Sequence, residues 1–270
     1  MRHIRLLALA GAAALAACGD DDATAPSRPA LAAVRVIHAM PDTGAFDLHA
    51  IDQIEWSPAA LALGYRASTQ YFPTEAGARK LRVFPTSREP GVTSAFLIDT
   101  TLTFEADKRY TLLVKGTART NTEEILVIED APPVPATDAA NVAVRGINAA
   151  ATAVDLHLVP ATTTTLVGRT PTFGALAPYT AAATYVTQAA GAAAVRAANP
   201  ASTTALASAA APNGAAAPAG SLYPTAGISQ AGTAMSAVWF PAGVAGSANA
   251  GVAAGLVWFV DQNPGPITPP

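Results

Sequence analysis

The sequence predicts an all-β protein: two tandem antiparallel β-sandwich domains, immunoglobulin-like or transthyretin-like, behind an export signal. Three observations predict it. Apolar residues recur at every second position in short runs, the period of a half-buried strand. Clusters of Pro, Gly and Asp break the chain between those runs, as turns do between sandwich strands. The whole pattern is also met twice. No stretch carries a long apolar stripe at helical spacing.

The first domain is read over residues 31–130. It opens on Val34-Arg35-Val36-Ile37-His38-Ala39. In the next run Phe46, Leu48 and Ala50 alternate with Asp47 and His49. Leu81 and Val83 then flank Arg82. Phe96, Ile98, Thr100, Leu102 and Phe104 share one strand face, and Tyr110, Leu112 and Val114 share another. Turns fall at Met40-Pro41-Asp42-Thr43-Gly44, Glu75-Ala76-Gly77 and Glu89-Pro90-Gly91. Pro presets φ there, while Gly and Asp tolerate turn conformations.

The second domain is read over residues 140–263, after a Pro-rich, semi-stiff linker at 131–139. Val144-Arg145-Gly146-Ile147-Asn148-Ala149 and Val154-Asp155-Leu156-His157 answer the opening runs of the first. Tyr65, Tyr71, Gly77 and Arg82 match Tyr179, Tyr185, Gly191 and Arg196 at one offset of 114. Leu126 to Asp130 is answered by Val257 to Asp261. The second copy is degenerate. Arg196 to Asp261 is 17 residues longer than Arg82 to Asp130, and the excess falls in an Ala/Pro/Ser-rich stretch near 201–221, read as a long loop or partly disordered insertion. Residues 234–260 are apolar, but Pro241, Asn249 and several glycines interrupt them. A closing hairpin fits them better than a membrane span. Residues 264–270 form a Pro-rich tail.

Residues 1–17 read as a signal peptide: Arg2 and Arg5, a twelve-residue apolar core from Leu6 to Ala17, and small residues at its end. That core is too short to span a bilayer, which needs about twenty residues. Leu15-Ala16-Ala17-Cys18 resembles the lipobox of bacterial lipoproteins. The resemblance implies cleavage before Cys18 and lipid on its sulfur; ordinary cleavage after Ala14-Leu15-Ala16 is the alternative. Cys18 is the only cysteine, so it has no disulfide partner within the chain. Residues 18–30 read as a lipidated flexible tether, with Asp20-Asp21-Asp22 as a solvated run. The expected location is the bacterial cell envelope, outer membrane or cell surface.

Charge narrows the partners. Only 13% of residues are charged, and losing Arg2 and Arg5 with the leader takes the formal net charge from −3 to −5. There is no basic stripe with interleaved aromatics, so nucleic acid is not an expected partner. The expected contacts are the membrane through Cys18 and an envelope protein or polysaccharide.

Candidate site residues are few. His38 and Asp42 flank a turn and could pair as base and orienter; a turn held by side-chain hydrogen bonds is the plainer reading. Trp56, Tyr65 and Tyr71, with Phe72, could form an aromatic platform, although such residues are more often core or rim. Asp47 with His49, and Asp155 with His157, lie two apart on a strand face. Two ligands are too few for structural zinc, and a solvated outer face fits them better. No nucleophile elbow or phosphate-cradling loop is present. No catalytic residue, metal or cofactor is assigned.

Val34 to Asp42 followed by Phe46-Asp47-Leu48 is similar to the opening motif of the bacterial domain-of-unknown-function family 4397. Pro73 to Val83 and Leu97 to Val114 fit it too. The resemblance covers about residues 32–130 and is weak over 140–262. It implies an exported, sandwich-like domain, often tandem and often on lipoproteins, with no established activity to transfer. The expected function is a non-enzymatic envelope lipoprotein with a binding, adhesion or structural role. An envelope hydrolase or metal-dependent enzyme using the His38/Asp42 region, and a passive spacer, are the competing readings.

Overall fold

The computed structural model describes residues 29–52, 60–89, 91 and 95–266. The leader, Cys18 and Trp56 lie outside the described residues. The chain divides into two units, Met1–Ala30 and Leu31–Pro270, and the second holds every strand named below.

The strands of the first half are β1 Leu31–His38, β2 Phe46–Ala50, β3 Ala60–Leu63, β4 Phe72–Glu75, β5 Gly77–Pro85, β6 Ile98–Phe104, β7 Arg109–Lys115 and β8 Glu124–Glu129. They form two four-stranded sheets, ordered β4-β1-β7-β8 and β3-β2-β5-β6. The second half holds β9 Asn141–Asn148, β10 Val154–Pro160, β11 Phe173–Leu176, β12 Thr180–Ala181, β13 Val186–Ala189, β14 Ala193–Ala198, β15 Ala205–Ala210, β16 Ala234–Phe240 and β17 Gly255–Gln262. Its sheets run β12-β9-β16-β17, with β13 also on β9, and β11-β10-β14-β15. The strand order of the first half thus recurs in the second. The fold is all-β and sandwich-like.

Each half closes its own core between its two sheets. Val34, Val36, Phe46, Leu48, Val83, Phe104 and Leu112 fill the first. Val144, Leu156, Phe173, Val195, Met235 and Trp239 fill the second. Gly146 stands where the first half has Val36, and a Cβ there would meet the Phe173 ring at 2.8 Å. Glycine is what lets that ring lie against the strand.

A third core joins the halves. Ile37, Ala39, Leu113 and Ile128 of the first pack with Ile147, Ala149, Val238 and Phe240 of the second, and all eight are buried. Strands β1, β7, β9 and β16 are therefore covered on both faces. This is why Val36 and Ile37, and Leu112 to Val114, are buried apolar neighbours in sequence and do not simply alternate with polar residues. Parallel pairing favours such doubly buried strands, and β1 pairs β7 in parallel, as β9 pairs β16. The other strand pairs are antiparallel, so each half is a mixed sandwich; the period of side chains does not encode strand direction.

Two local readings are corrected. The stretch near 201–221 contains an ordered edge strand, β15, paired with β14. Its alternate residues are exposed, but alanine and serine blur the apolar contrast that reveals a strand. Asp155 and His157 are 3% and 2% exposed, not solvated, because residues between β10 and β11 fold back over that sheet face. Residues 234–260 form the β16–β17 hairpin. No helix among the described residues is long and apolar enough to cross a membrane.

Candidate functional site

The polar centre of the molecule lies on the junction between the halves. Arg35 on β1 reaches across to Asp261 at the end of β17: Nη2 donates to Oδ1 at 2.5 Å and Nη1 to the Val260 carbonyl at 3.0 Å. Arg145 on β9 makes the reciprocal contact with Asp130, and its Nη1 donates to the Glu129 carbonyl at 3.1 Å. Each carboxylate is then completed from its own half. Asp130 accepts from Thr111 Oγ1 at 2.6 Å and Tyr71 Oη at 2.7 Å. Asp261 accepts from Ser236 Oγ at 2.7 Å and Tyr185 Oη at 2.9 Å. Arg35 also donates through Nε to Thr111, and lies over the Tyr71 ring as Arg145 lies over Tyr185.

Two guanidinium groups and two carboxylates, all nearly inaccessible to water, balance in formal charge. Burial alone works against the charge on Arg35. The Asp261, Tyr71 and Asp130 side chains outweigh it, and the guanidinium is held above its ordinary value. Burial, with the carboxylates beside them, raises both Tyr71 and Tyr185 far above a normal phenol, so both are neutral donors at physiological pH. Removing one partner of a buried pair costs about 3–5 kcal/mol, because the other charge is stranded. The network therefore fixes the docking of one half on the other.

A groove of about 560 Å³ opens beside this network. Ile128, Glu129, Ala131 and Pro133 form its wall on the first half and linker; Arg145, Ala182, Ala183, Thr184, Tyr185 and Thr187 form the other. Arg145 and Tyr185 are already engaged with Asp130 and Asp261, and Glu129 with Lys108, leaving threonine hydroxyls and apolar surface to meet a ligand. Such a lining suits recognition by shape and hydrogen bonding.

The residues singled out from sequence fall in two places. His38 is fully buried. Its Nδ1 accepts from Met40 N at 3.2 Å and its Nε2 faces the Gly44 carbonyl at 2.9 Å, so the ring is neutral with the proton on Nε2. Burial pushes it down to about 4, against the Gly44 carbonyl and Asp42, which favour the charge. Asp42 accepts from the backbone N–H groups of Ala118 and Arg119 at 3.1 and 2.9 Å. His38 and Asp42 thus form a structural turn, not a base and its orienter. Tyr65 donates to the Pro241 carbonyl at 2.5 Å, across the junction. Tyr71 lies in the charge network, and its ring faces Arg35 and Arg109. These tyrosines do not make an exposed platform.

The Asp-x-His pairs serve the backbone as well. Asp47 accepts from Ala62 N at 2.7 Å and Asp155 from Ala175 N at 2.6 Å. Both alanines have positive φ, 48° and 43°. Each carboxylate pins a strained position in an edge strand, where the pairing register shifts. Among the described residues no group of three or more His, Cys, Asp or Glu gathers as metal ligands would. The groups that sequence reasoning missed are Arg35, Arg145, Asp130 and Asp261. The signal was available: an arginine at the same place in both opening runs, between apolar neighbours, and an aspartate closing both halves.

The fold and the junction define a class: an all-β protein of two sandwich halves joined through a buried charge network. Residues 32–157, spanning β1 to β9 and the start of β10, match the model of a family described as Domain of unknown function (DUF4397), and this stretch belongs to that family. No curated protein matches the chain.

Proposed function

We propose that the chain is a lipid-anchored, non-enzymatic binding module of the bacterial cell envelope, built from two copies of one unit fused into a rigid body. The observation that carries the binding role is the groove beside the junction. Both halves contribute walls, and the network behind it fixes their relative position. The reading of two copies rests on the recurring strand order and on Arg35/Asp261 and Arg145/Asp130 answering one another. The anchor rests on the lipobox-like run ending at Cys18. An extended envelope polymer, polysaccharide or peptide, suits an open groove lined by hydroxyls and apolar surface.

Two linked measurements test this. Intact mass spectrometry of the membrane fraction should show a diacyl or triacyl mass gain, which a Cys18→Ala variant loses as it leaves the membrane. Unmodified wild type in the soluble fraction would rule out the anchor. The soluble variant should co-sediment with isolated cell-envelope polysaccharide. Adding Ala183→Trp, at an exposed groove position, should weaken that binding by about tenfold, roughly 1.4 kcal/mol. Equal sedimentation of both variants would move the binding face elsewhere.

A further inference from the structure

His157 lies on the outer face of the second half's sandwich, directly across from Arg196 on β14. It is 2% exposed, and neither ring nitrogen meets a partner in good hydrogen-bond geometry, the Thr170 backbone being the one polar group close to the ring. Arg196 Nε is buried and equally unpartnered, while its Nη2 donates to the Thr163 carbonyl. The cover over them is the segment 161–172 between β10 and β11, where Leu166 is buried and the Thr172 hydroxyl accepts from Leu158 N. A buried polar group without a partner is costly, so a cluster of three points to a missing one.

The first half shows what the missing partner is. There His49 stands across from Arg82, and Arg82 stands across from Asp99 on β6. Arg82 Nε donates to the Asp99 carboxylate at 3.0 Å, and Lys80 pairs with the same carboxylate. In the second half the position across from Arg196 is Ser208 on β15. The arginine and histidine are retained; the carboxylate is not. Ser208 is exposed, so the place is open from the β15 side.

We propose that the second half binds a carboxylate-bearing ligand at Arg196, beside His157, in the place that Asp99 fills in the first half. A guanidinium and a carboxylate form a charge-assisted hydrogen bond, among the stronger non-covalent contacts. The nearest acidic side chain, Asp155, does not fill the place: its oxygens accept from Ala175 N and Ala201 N at 2.6 and 2.9 Å. The other charged residue of the cover, Arg169, is exposed. Burial holds His157 below its ordinary value, against Asp155 and the nearby Thr170 backbone, which favour its charged form.

The test is an NMR titration of the full-length chain, following the Arg196 Nε–H and the His157 ring, with sodium acetate against sodium chloride at equal ionic strength. A second arm uses polygalacturonate at equal carboxylate concentration. Saturable shifts with acetate are expected if a free carboxylate suffices. Shifts with the polymer alone indicate a carboxylate carried on a larger partner. Ser208→Asp, at an exposed strand position, should supply the carboxylate from within and weaken the response by at least about tenfold. Asp99→Ser should create the same response at Arg82. The proposal is overturned if neither probe moves these signals beyond chloride, or if Ser208→Asp responds as the wild type does.

Discussion

Asp261→Asn tests the claim that the halves form one cooperative body. Asp261 is fully buried and its two oxygens serve three donors: Arg35 at 2.5 Å, Ser236 at 2.7 Å and Tyr185 at 2.9 Å. An asparagine keeps one acceptor oxygen and turns an N–H₂ toward donors. Arg35 loses its counter-charge in a place where its guanidinium is almost inaccessible to water. Stranding a buried charge costs about 3–5 kcal/mol, a large share of the roughly 5–15 kcal/mol that holds a folded domain. With a urea slope of about 2–3 kcal/mol/M, the midpoint should fall by roughly 1–2 M. Asp130→Asn should cost the same, because Asp130 serves Arg145, Thr111 and Tyr71 in the same way. Replacing both Arg35 and Asp261 with Met and Leu should cost less than either single change, since apolar substitution of a whole buried pair is often tolerated. The assay is urea unfolding followed by tryptophan fluorescence and far-ultraviolet circular dichroism. A loss below about 1 kcal/mol, or a wild type that unfolds in two steps of which Asp261→Asn shifts only one, would refute the reasoning.

The turn at His38 carries a pH signature. The unfolded chain binds the His38 proton near its ordinary pKa of 6.5, the folded protein only near about 4. Stability should therefore be level above pH 6.5 and fall as pH drops toward 4, by about 3 kcal/mol in all. His38→Asn should fold and flatten that slope, because Asn148 already does this work in the second half. Asn148 Oδ1 accepts from Ala150 N at 2.9 Å and its Nδ2 donates to the Thr152 carbonyl at 2.8 Å. Urea midpoints between pH 7.5 and 4.5 check both statements; an unchanged slope in the variant removes His38 as its source. Ala62→Gly should raise the melting temperature by roughly 1–3 °C, since an exposed alanine at φ 48° is strained and glycine is not. A lower melting temperature by calorimetry would show that Asp47 already relieves that strain.

The strands were legible where apolar and polar residues alternate, as in Phe46 to Ala50. So was the closing hairpin over 234–260. Strand direction was not legible, because a side-chain period of two is the same for parallel and antiparallel neighbours. β15 was hidden because alanine packs as a small core residue or sits on a surface equally well. The candidate site was the least legible part. His38, Asp42 and Tyr65 drew attention as chemistry-bearing residues, yet each holds a backbone segment. Arg35 and Arg145 alternate with core residues of their own halves, so in one isolated sandwich they would face outward. Their burial follows from the second sandwich packed against the first, a fact about tertiary contact that no local pattern contains.

The junction explains how two halves that share an architecture can differ in chemistry. Arg35 needs Asp261, and Arg145 needs Asp130, so neither half can lose its arginine or its closing aspartate without stranding a charge in the other. The outer faces carry no such reciprocal constraint. There Asp99 pairs with Arg82 within one sheet, and its replacement by Ser208 in the other half leaves Arg196 unpaired at Nε without disturbing the junction. Divergence between the halves is thus cheapest on faces that point away from the shared core. A ligand site should be sought on such a face, at a position where one half retains a polar constellation that the other completes.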